Sequence, residues 1–419
     1  MIRIDVDASG WIAVCALALA VIPLQQARAE HTLEVLHAFA GGTDGAFPFS
    51  PLVMDKAGNL YGTTLNGGDG TACGGNGCGT VFKISTDGGR YSILHSFSGG
   101  DGSEPMGGVT LDDEGHLFGT TSFGGAVCDA GNYTCGTVFK MSTNGSGYRV
   151  LYNFKGSPDG AIPWAQSIIV DQAGNLYGTT AWGGAYCFVQ CGTVFKIATD
   201  GSETILHSFG GGEDGKYAFG GLVADRHGAL WGTTFVGGTL GAGTVFKIEP
   251  DGSGYKVVYA FDGTDDGGLP AATLIEKGGL FFGTTYGGGD AFCNGTCGTV
   301  FMLTPRGGET VLYSFVGGAD GGQPFGSGVI IDRAGDLYGT TSIGGGTGCT
   351  GPGCGAIYKL PAGDIFDKVL YSFGTGGNGK YPVASLVADD AGYLYGTAEE
   401  GGGSGCGGVG CGVVYRVKK

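Results

Sequence analysis

The chain has 419 residues, of which 93 are glycine, 14% are charged and 42% are hydrophobic. That apolar content excludes a disordered acidic chain, and the lack of a Gly-X-Y period excludes collagen. Glycine at this density also works against helices, since each interior glycine costs a helix about 1 kcal/mol relative to alanine. The net charge of −16 and the lack of basic runs exclude a nucleic-acid backbone or an anionic membrane as partner, leaving cations and neutral polymers.

Residues 1–29 differ from the rest. An apolar stretch over residues 11–24 leads to Ala27-Arg28-Ala29, the small-x-small pattern of a signal peptidase site. About 14 apolar residues fall short of the roughly 20 that span a bilayer. Cleavage after Ala29 removes two Arg and two Asp, so the expected mature charge is still −16. The mature chain is expected outside the cytoplasm, extracellular or periplasmic, as a monomer without a membrane span.

Residues 30–419 read as one repeat domain. The core Leu-Tyr-Gly-Thr-Thr at 60–64 recurs at 117–121, 176–180, 230–234, 281–285, 337–341 and 394–398 with at most two changes. Each core is followed by a Gly-Thr-Val-Phe-Lys-like run, beginning at Gly79, Gly136, Gly192, Gly243, Gly298, Gly355 and Gly412. A Leu-(His/Tyr)-x-Phe run then ends at Phe97, Phe154, Phe209, Phe261, Phe315 and Phe373, with a further copy ending at Phe39. The first repeat therefore predicts strand A at 51–54, B at 59–65, C at 80–84 and D at 91–97, with turns at 55–58 and 86–89.

Four-stranded units at a period near 50 residues are the signature of propeller blades. The chain opens with a lone strand D and closes after strand C of the seventh repeat. An open solenoid or a sandwich has no use for that arrangement, whereas a ring pairs the spare strand with the last blade and removes free edges. The predicted fold is all-β, a seven-bladed β-propeller of four-stranded blades, closed by the N-terminal strand D on the C-terminal strands A–C.

Twelve of the 13 cysteines fall in six close pairs: Cys73/Cys78, Cys128/Cys135, Cys187/Cys191, Cys293/Cys297, Cys349/Cys354 and Cys406/Cys411. Each pair offers two thiolates where structural zinc takes four ligands. Disulfides fit an oxidising compartment better, each contributing about 2 kcal/mol by chain entropy. Spacing alone leaves their connectivity open, with pairing inside each short loop the economical choice.

The motifs GG-x-DG-x-x-P, D-x-x-GNLYGTT and GTVFK resemble the Gloeobacter/Verrucomicrobium-type tandem repeat (GloVer) of secreted bacterial "choice-of-anchor" proteins, over essentially all of residues 31–419. The resemblance implies an exported, propeller-like repeat protein and no particular activity. Family members carry variable C-terminal anchors; this chain ends in Val-Tyr-Arg-Val-Lys-Lys, where no such anchor is recognisable.

Strand direction puts the long B–C loops and the D-to-A connections on one face, here called face one, and the A–B and C–D turns on face two. Face one carries an Asp-Gly aspartate in six blades: Asp44, Asp101, Asp159, Asp214, Asp266 and Asp320. Such a ring suits Ca²⁺ or a cationic partner. The plainer reading is that Asp-Gly builds the turn in every blade, and the loops lack D-x-D-x-D spacing.

His37, His95 and His207 share a strand-D position with tyrosines and read as packing residues, while His116 and His227 read as exposed turn residues. No G-x-S-x-G elbow, H-E-x-x-H or phosphate loop occurs. Blade three departs most from the repeat, with Trp164, Trp182, Tyr186 and Phe188 as a candidate binding patch or as edge packing. Blade seven departs with Glu399 and Glu400 where small residues are usual. These features point to a binding or scaffold module with a glycan or protein ligand on face one. The alternatives are a polysaccharide hydrolase or lyase using carboxylates near the central channel, and a purely structural envelope protein. No catalytic, metal or cofactor site is assigned beyond the weak calcium reading.

Overall fold

The computed structural model describes residues 31–69, 73–128, 134–164, 166–186, 191–289, 296–345, 349, 353–363 and 368–419. The predicted signal peptide, Phe188, Cys187 and Cys293 lie outside them.

Seven four-stranded antiparallel sheets follow one another as blades of a ring. Blade one comprises Val53–Met54, Asn59–Thr64, Thr80–Ser85 and Tyr91–Ser96, paired in that order. The N-terminal strand Leu33–Ala38 pairs with Val413–Lys418, Leu33 opposite Val417 and Ala38 opposite Val413, and completes blade seven. The propeller and its closure are thus as the repeat predicts.

The recurrent letters of the repeat each have a local task. Asp55 Oδ1 accepts the backbone N–H groups of Ala57 and Asn59 (2.9 and 2.8 Å), and its Oδ2 accepts from the Asn59 amide and the Tyr61 hydroxyl (2.7 and 2.8 Å). Asp171, Asp225, Asp332 and Asp389 repeat the arrangement, with the Trp231 indole donating to Asp225. This is a side-chain-capped turn.

The first threonine of the core stitches blade to blade. Thr63 donates to Pro105 O (3.0 Å) in the next blade, and Thr397 donates to Ser50 O (3.2 Å) across the closure. The second threonine bonds within the blade, Thr64 to Thr80 at 2.7 Å. Gly62 lies opposite Phe82 in the same blade, and a Cβ there would sit 2.7 Å from the Phe82 ring and 2.8 Å from Leu52. The glycine therefore makes room for the ring of its own strand C, not for one from the neighbouring blade. Gly79, at φ +96, opens strand C where a Cβ would strike Pro105 of the next blade at 2.6 Å.

A third contact joins the blades on face one. The residue before the repeat's proline has a left-handed backbone in every blade although none is glycine: Phe47, Glu104, Ile162, Tyr217, Leu269, Gln323 and Tyr381, at φ 50 to 59. Each donates its N–H to a loop carbonyl of the preceding blade, for example Glu104 to Cys78 O (2.9 Å) and Gln323 to Cys297 O (2.7 Å). In blade four, which lacks cysteine, Ala242 supplies that carbonyl to Leu269. Disulfides Cys73–Cys78, Cys128–Cys135, Cys349–Cys354 and Cys406–Cys411 close the short loops as the economical reading expects, and Cys191 and Cys297 are also disulfide-bonded. The staples hold the loops that carry the accepting carbonyls.

Candidate functional site at the channel mouth

Strands A of neighbouring blades touch at the centre of the ring, so the residues entering strand A line the central channel. From the proline to the first buried residue of strand A the chain takes four steps in blade one, Pro48 to Leu52, and likewise in blades two, five and seven. Blade four, with Ala218 in the proline's place, keeps this spacing. In blades three and six it takes five, Pro163 to Ile168 and Pro324 to Val329.

The two extra residues meet across the ring. The Gln166 amide nitrogen donates to Gly326 O, and its amide oxygen accepts the Thr273 N–H at 3.4 Å. Gln166 is 7% exposed. As a strut, Gln166 thus bridges the entries to strand A of blades three, five and six.

On face two lies a cavity of about 770 Å³, reaching from Gln166 to the turn around Asp55 and bordered by Val53, Thr110, Ser167 and Thr273. On face one lies a cup of about 430 Å³. Its wall holds Phe49, Phe235, Tyr286, Phe325, Tyr381 and Glu399.

The cup belongs to a longer arc of rings that crosses blade boundaries. Trp164 packs on Phe219 (centroids 4.8 Å apart) and Phe219 on Phe235 (5.1 Å). Phe235 leads to Tyr286 (6.4 Å), Tyr286 to Phe325 (5.5 Å) and Phe325 to Phe49 (6.3 Å). These spacings are those of edge-to-face and offset aromatic pairs. All six rings are half-buried, each with part of its surface left to solvent.

One carboxyl, that of Glu399, lies in the cup wall. Burial pushes the Glu399 carboxyl above its ordinary value, and the charge of Glu400 adds to this. Glu400 itself pairs with Lys380 at 3.4 Å. Burial likewise raises Glu104, the left-handed residue of blade two.

The sequence-predicted site residues are distributed differently. Trp164 is an end of the arc. Trp182 packs against the core that contains Cys128 and Cys135, and Tyr186 is 77% exposed. Among the described residues no ring contact joins either of them to Trp164.

The six Asp-Gly carboxylates are used within their blades. Each accepts from the strand-D residue six or seven positions earlier: His37 to Asp44 (3.1 Å), His95 to Asp101 (2.9 Å), Tyr152 to Asp159 (3.0 Å), His207 to Asp214 (3.1 Å), Tyr259 to Asp266 (2.7 Å) and Tyr313 to Asp320 (3.0 Å). Burial raises the carboxyls of Asp101 and Asp214, but the hydrogen bonds each accepts, led by those from His95 and His207, together outweigh it and hold them below the ordinary value. Where tyrosine donates, burial wins, and Asp159 and Asp266 are raised.

The histidines also stack on tyrosines of the next blade, His37 on Tyr91 at 3.7 Å, His95 on Tyr148 at 3.6 Å and His207 on Tyr255 at 3.5 Å. Blades three and five put Glu203 and Glu309 in that tyrosine position. Burial, and then the neighbouring charge of Asp159 or Asp266, pushes each up to about 7.

One group among the described residues brings three metal-competent atoms together, Asp112, Glu114 and His116 within 4.8 Å, in the face-two turn of blade two. His116 there hydrogen-bonds Asp112 at 2.9 Å and is half-buried rather than exposed. It takes the place of Asn59 in the turn cap, and the cap accounts for the group.

Sequence reasoning missed the arc and the strut. The arc occupies two columns of the repeat that vary while their neighbours recur: the residue after the proline, and the residue after the core threonines. The strut announces itself as one extra residue in blades three and six.

No curated protein matches the chain in sequence. Solved structures share its fold at low identity. An oligogalacturonate lyase from Vibrio parahaemolyticus is 10% identical with a TM-score of 0.53, covering 94% of each chain. A manganese complex of an oligogalacturonate lyase is 10% identical with a TM-score of 0.54, covering 93% of each. A protein provisionally named a 6-phosphogluconolactonase from Bacteroides uniformis is 13% identical with a TM-score of 0.51, covering 81% of this chain and 89% of its own. The model of the Gloeobacter/Verrucomicrobia repeat matches residues 24–186 and 71–297, most of the chain. Motif, blade and sequence match agree: the chain belongs to the Gloeobacter/Verrucomicrobia repeat family.

Proposed function

We propose that this protein is an exported binding module that holds an extracellular glycan at the face-one mouth of its channel. The aromatic arc carries this reading. Six half-buried rings from five blades form it and four of them wall one cup, although the repeat itself requires none of them. Ring faces offer flat apolar area with little conformational entropy to lose, and a few polar groups among them orient a ligand. The disulfides suit an oxidising compartment, and no described helix is long and apolar enough to cross a membrane.

A second reading, chemistry on a polysaccharide, draws on one observation, that burial raises both Glu104 and Glu399 as an acid catalyst requires. The two readings separate on a glycan array followed by turnover assays. A binding module retains glycans unchanged, and replacing both Phe235 and Tyr286 by alanine weakens retention about 30-fold, the loss of roughly 2 kcal/mol at a hot spot. Replacing Trp182 and Tyr186 leaves retention unaltered. Cleavage of any retained glycan would replace binding by catalysis, and retention unmoved by the Phe235/Tyr286 change would remove the arc from the site.

A further inference from the structure

We propose that the cup around Glu399 receives an ammonium group, so that the glycan held at the mouth is one built from amino sugars with free amines. This rests on the glycan reading of the mouth and narrows it.

Blade seven alone places a carboxylate in the column that follows the core threonines; the other blades have Leu65, Ser122, Ala181, Phe235, Tyr286 and Ser342 there. The Glu399 backbone is fixed by its N–H bond to Tyr381 O (3.2 Å). Its side chain is half-buried beside five rings and takes no hydrogen bond or ion pair from any described residue. The nearby cation, Lys380, is engaged by Glu400 at 3.4 Å. A carboxylate partly removed from water without a partner carries a desolvation cost, and a cationic ligand offsets that cost on binding.

The walls favour the same charge. A cation within about 6 Å of a ring face is attracted by its quadrupole, and Phe49, Phe235, Tyr286, Phe325 and Tyr381 all border the cup. The volume of about 430 Å³ falls within the range of small-molecule sites. A net charge of −16 draws cations toward the surface and repels polyanions. A uronate polymer, the ligand class named for the lyases of similar fold, would bring like charge against Glu399.

Calorimetric titration of the full mature chain with a glucosamine tetramer, its N-acetylated counterpart and an oligogalacturonate of equal length tests this, in wild type, Glu399→Gln and the double Phe235→Ala/Tyr286→Ala variant. The expected result is that the free-amine tetramer binds wild type at least about tenfold more tightly than the acetylated one, as charge-assisted hydrogen bonds are the stronger kind. Glu399→Gln should abolish that preference while leaving the weaker acetylated binding in place. The isosteric change removes a half-buried carboxylate, and an unaltered melting temperature confirms folding.

Equal binding of both tetramers, unmoved by Glu399→Gln, overturns the ammonium assignment and leaves the glycan reading standing. Binding of the oligogalacturonate alone also overturns it. Binding of none of the three, with an empty array, overturns both. An oligolysine that outcompetes the sugar in a Glu399-dependent way overturns the sugar source in favour of a lysine-bearing protein.

Discussion

Gly62 shows how a single position couples strand and core. Its missing Cβ is filled by Phe82 on one side and Leu52 on the other, both fully or nearly fully buried. Its backbone is not left-handed, so space rather than dihedral strain demands glycine. Gly62→Ala is expected to destabilise the chain by about 1 to 3 kcal/mol through overpacking, read as a lowered thermal midpoint; an unchanged midpoint would show that the ring can step aside. The capped turn is as local: Asp55 serves two backbone donors and two side chains. Asp55→Ala is expected to cost about 1 to 2 kcal/mol, as for other capping side chains, measured in the same melt. Such residues were legible in the sequence because each answers to neighbours within a few positions. Phe235 and Tyr286 were not, because the repeat gives them no partner and only the ring brings them together.

Between blades, strand D carries a choice that is read in pairs. A histidine in one blade faces a tyrosine in the next, and a tyrosine, Tyr152 or Tyr259, faces Glu203 or Glu309. The glutamates have a pH consequence. Their carboxyls are raised in the folded state from an ordinary value of 4.5 to about 7, so the fold prefers them protonated. Stability is then fully present below pH 4.5 and falls as pH rises through about 7. Glu203→Gln should raise stability by about 1 kcal/mol near pH 8, after allowing for solvent screening, and change nothing near pH 4. Denaturant titrations at the two pH values decide, and an equal gain at both would assign the effect to packing. The sequence showed His and Tyr interchanging in this strand, but the partner lies a full repeat away, and only strand stacking reveals it.

The whole molecule is a ring whose closure was legible from one spare strand at the start and one missing at the end. Deleting residues 31–39 should expose the edge of Val413–Lys418 and yield a less stable protein that self-associates with rising concentration. Light scattering would detect this, and a monodisperse monomer would show that blade seven stands without the clasp. The channel was less legible. Blades three and six were each visibly one residue longer, yet nothing local says that the extra residues face one another across a cavity.

That opposition has a consequence for how the array can change. Repeat proteins lengthen and shorten by whole units, and a bare ring of equivalent blades registers such an event only through its curvature. Here Gln166 reaches Gly326 because two blades lie between them one way and three the other. Insert or drop a unit on either arc and the two extra residues no longer share a diameter, leaving a buried amide without its acceptor. The pair works as a tally mark, written in two residues, that ties this sequence to the number seven.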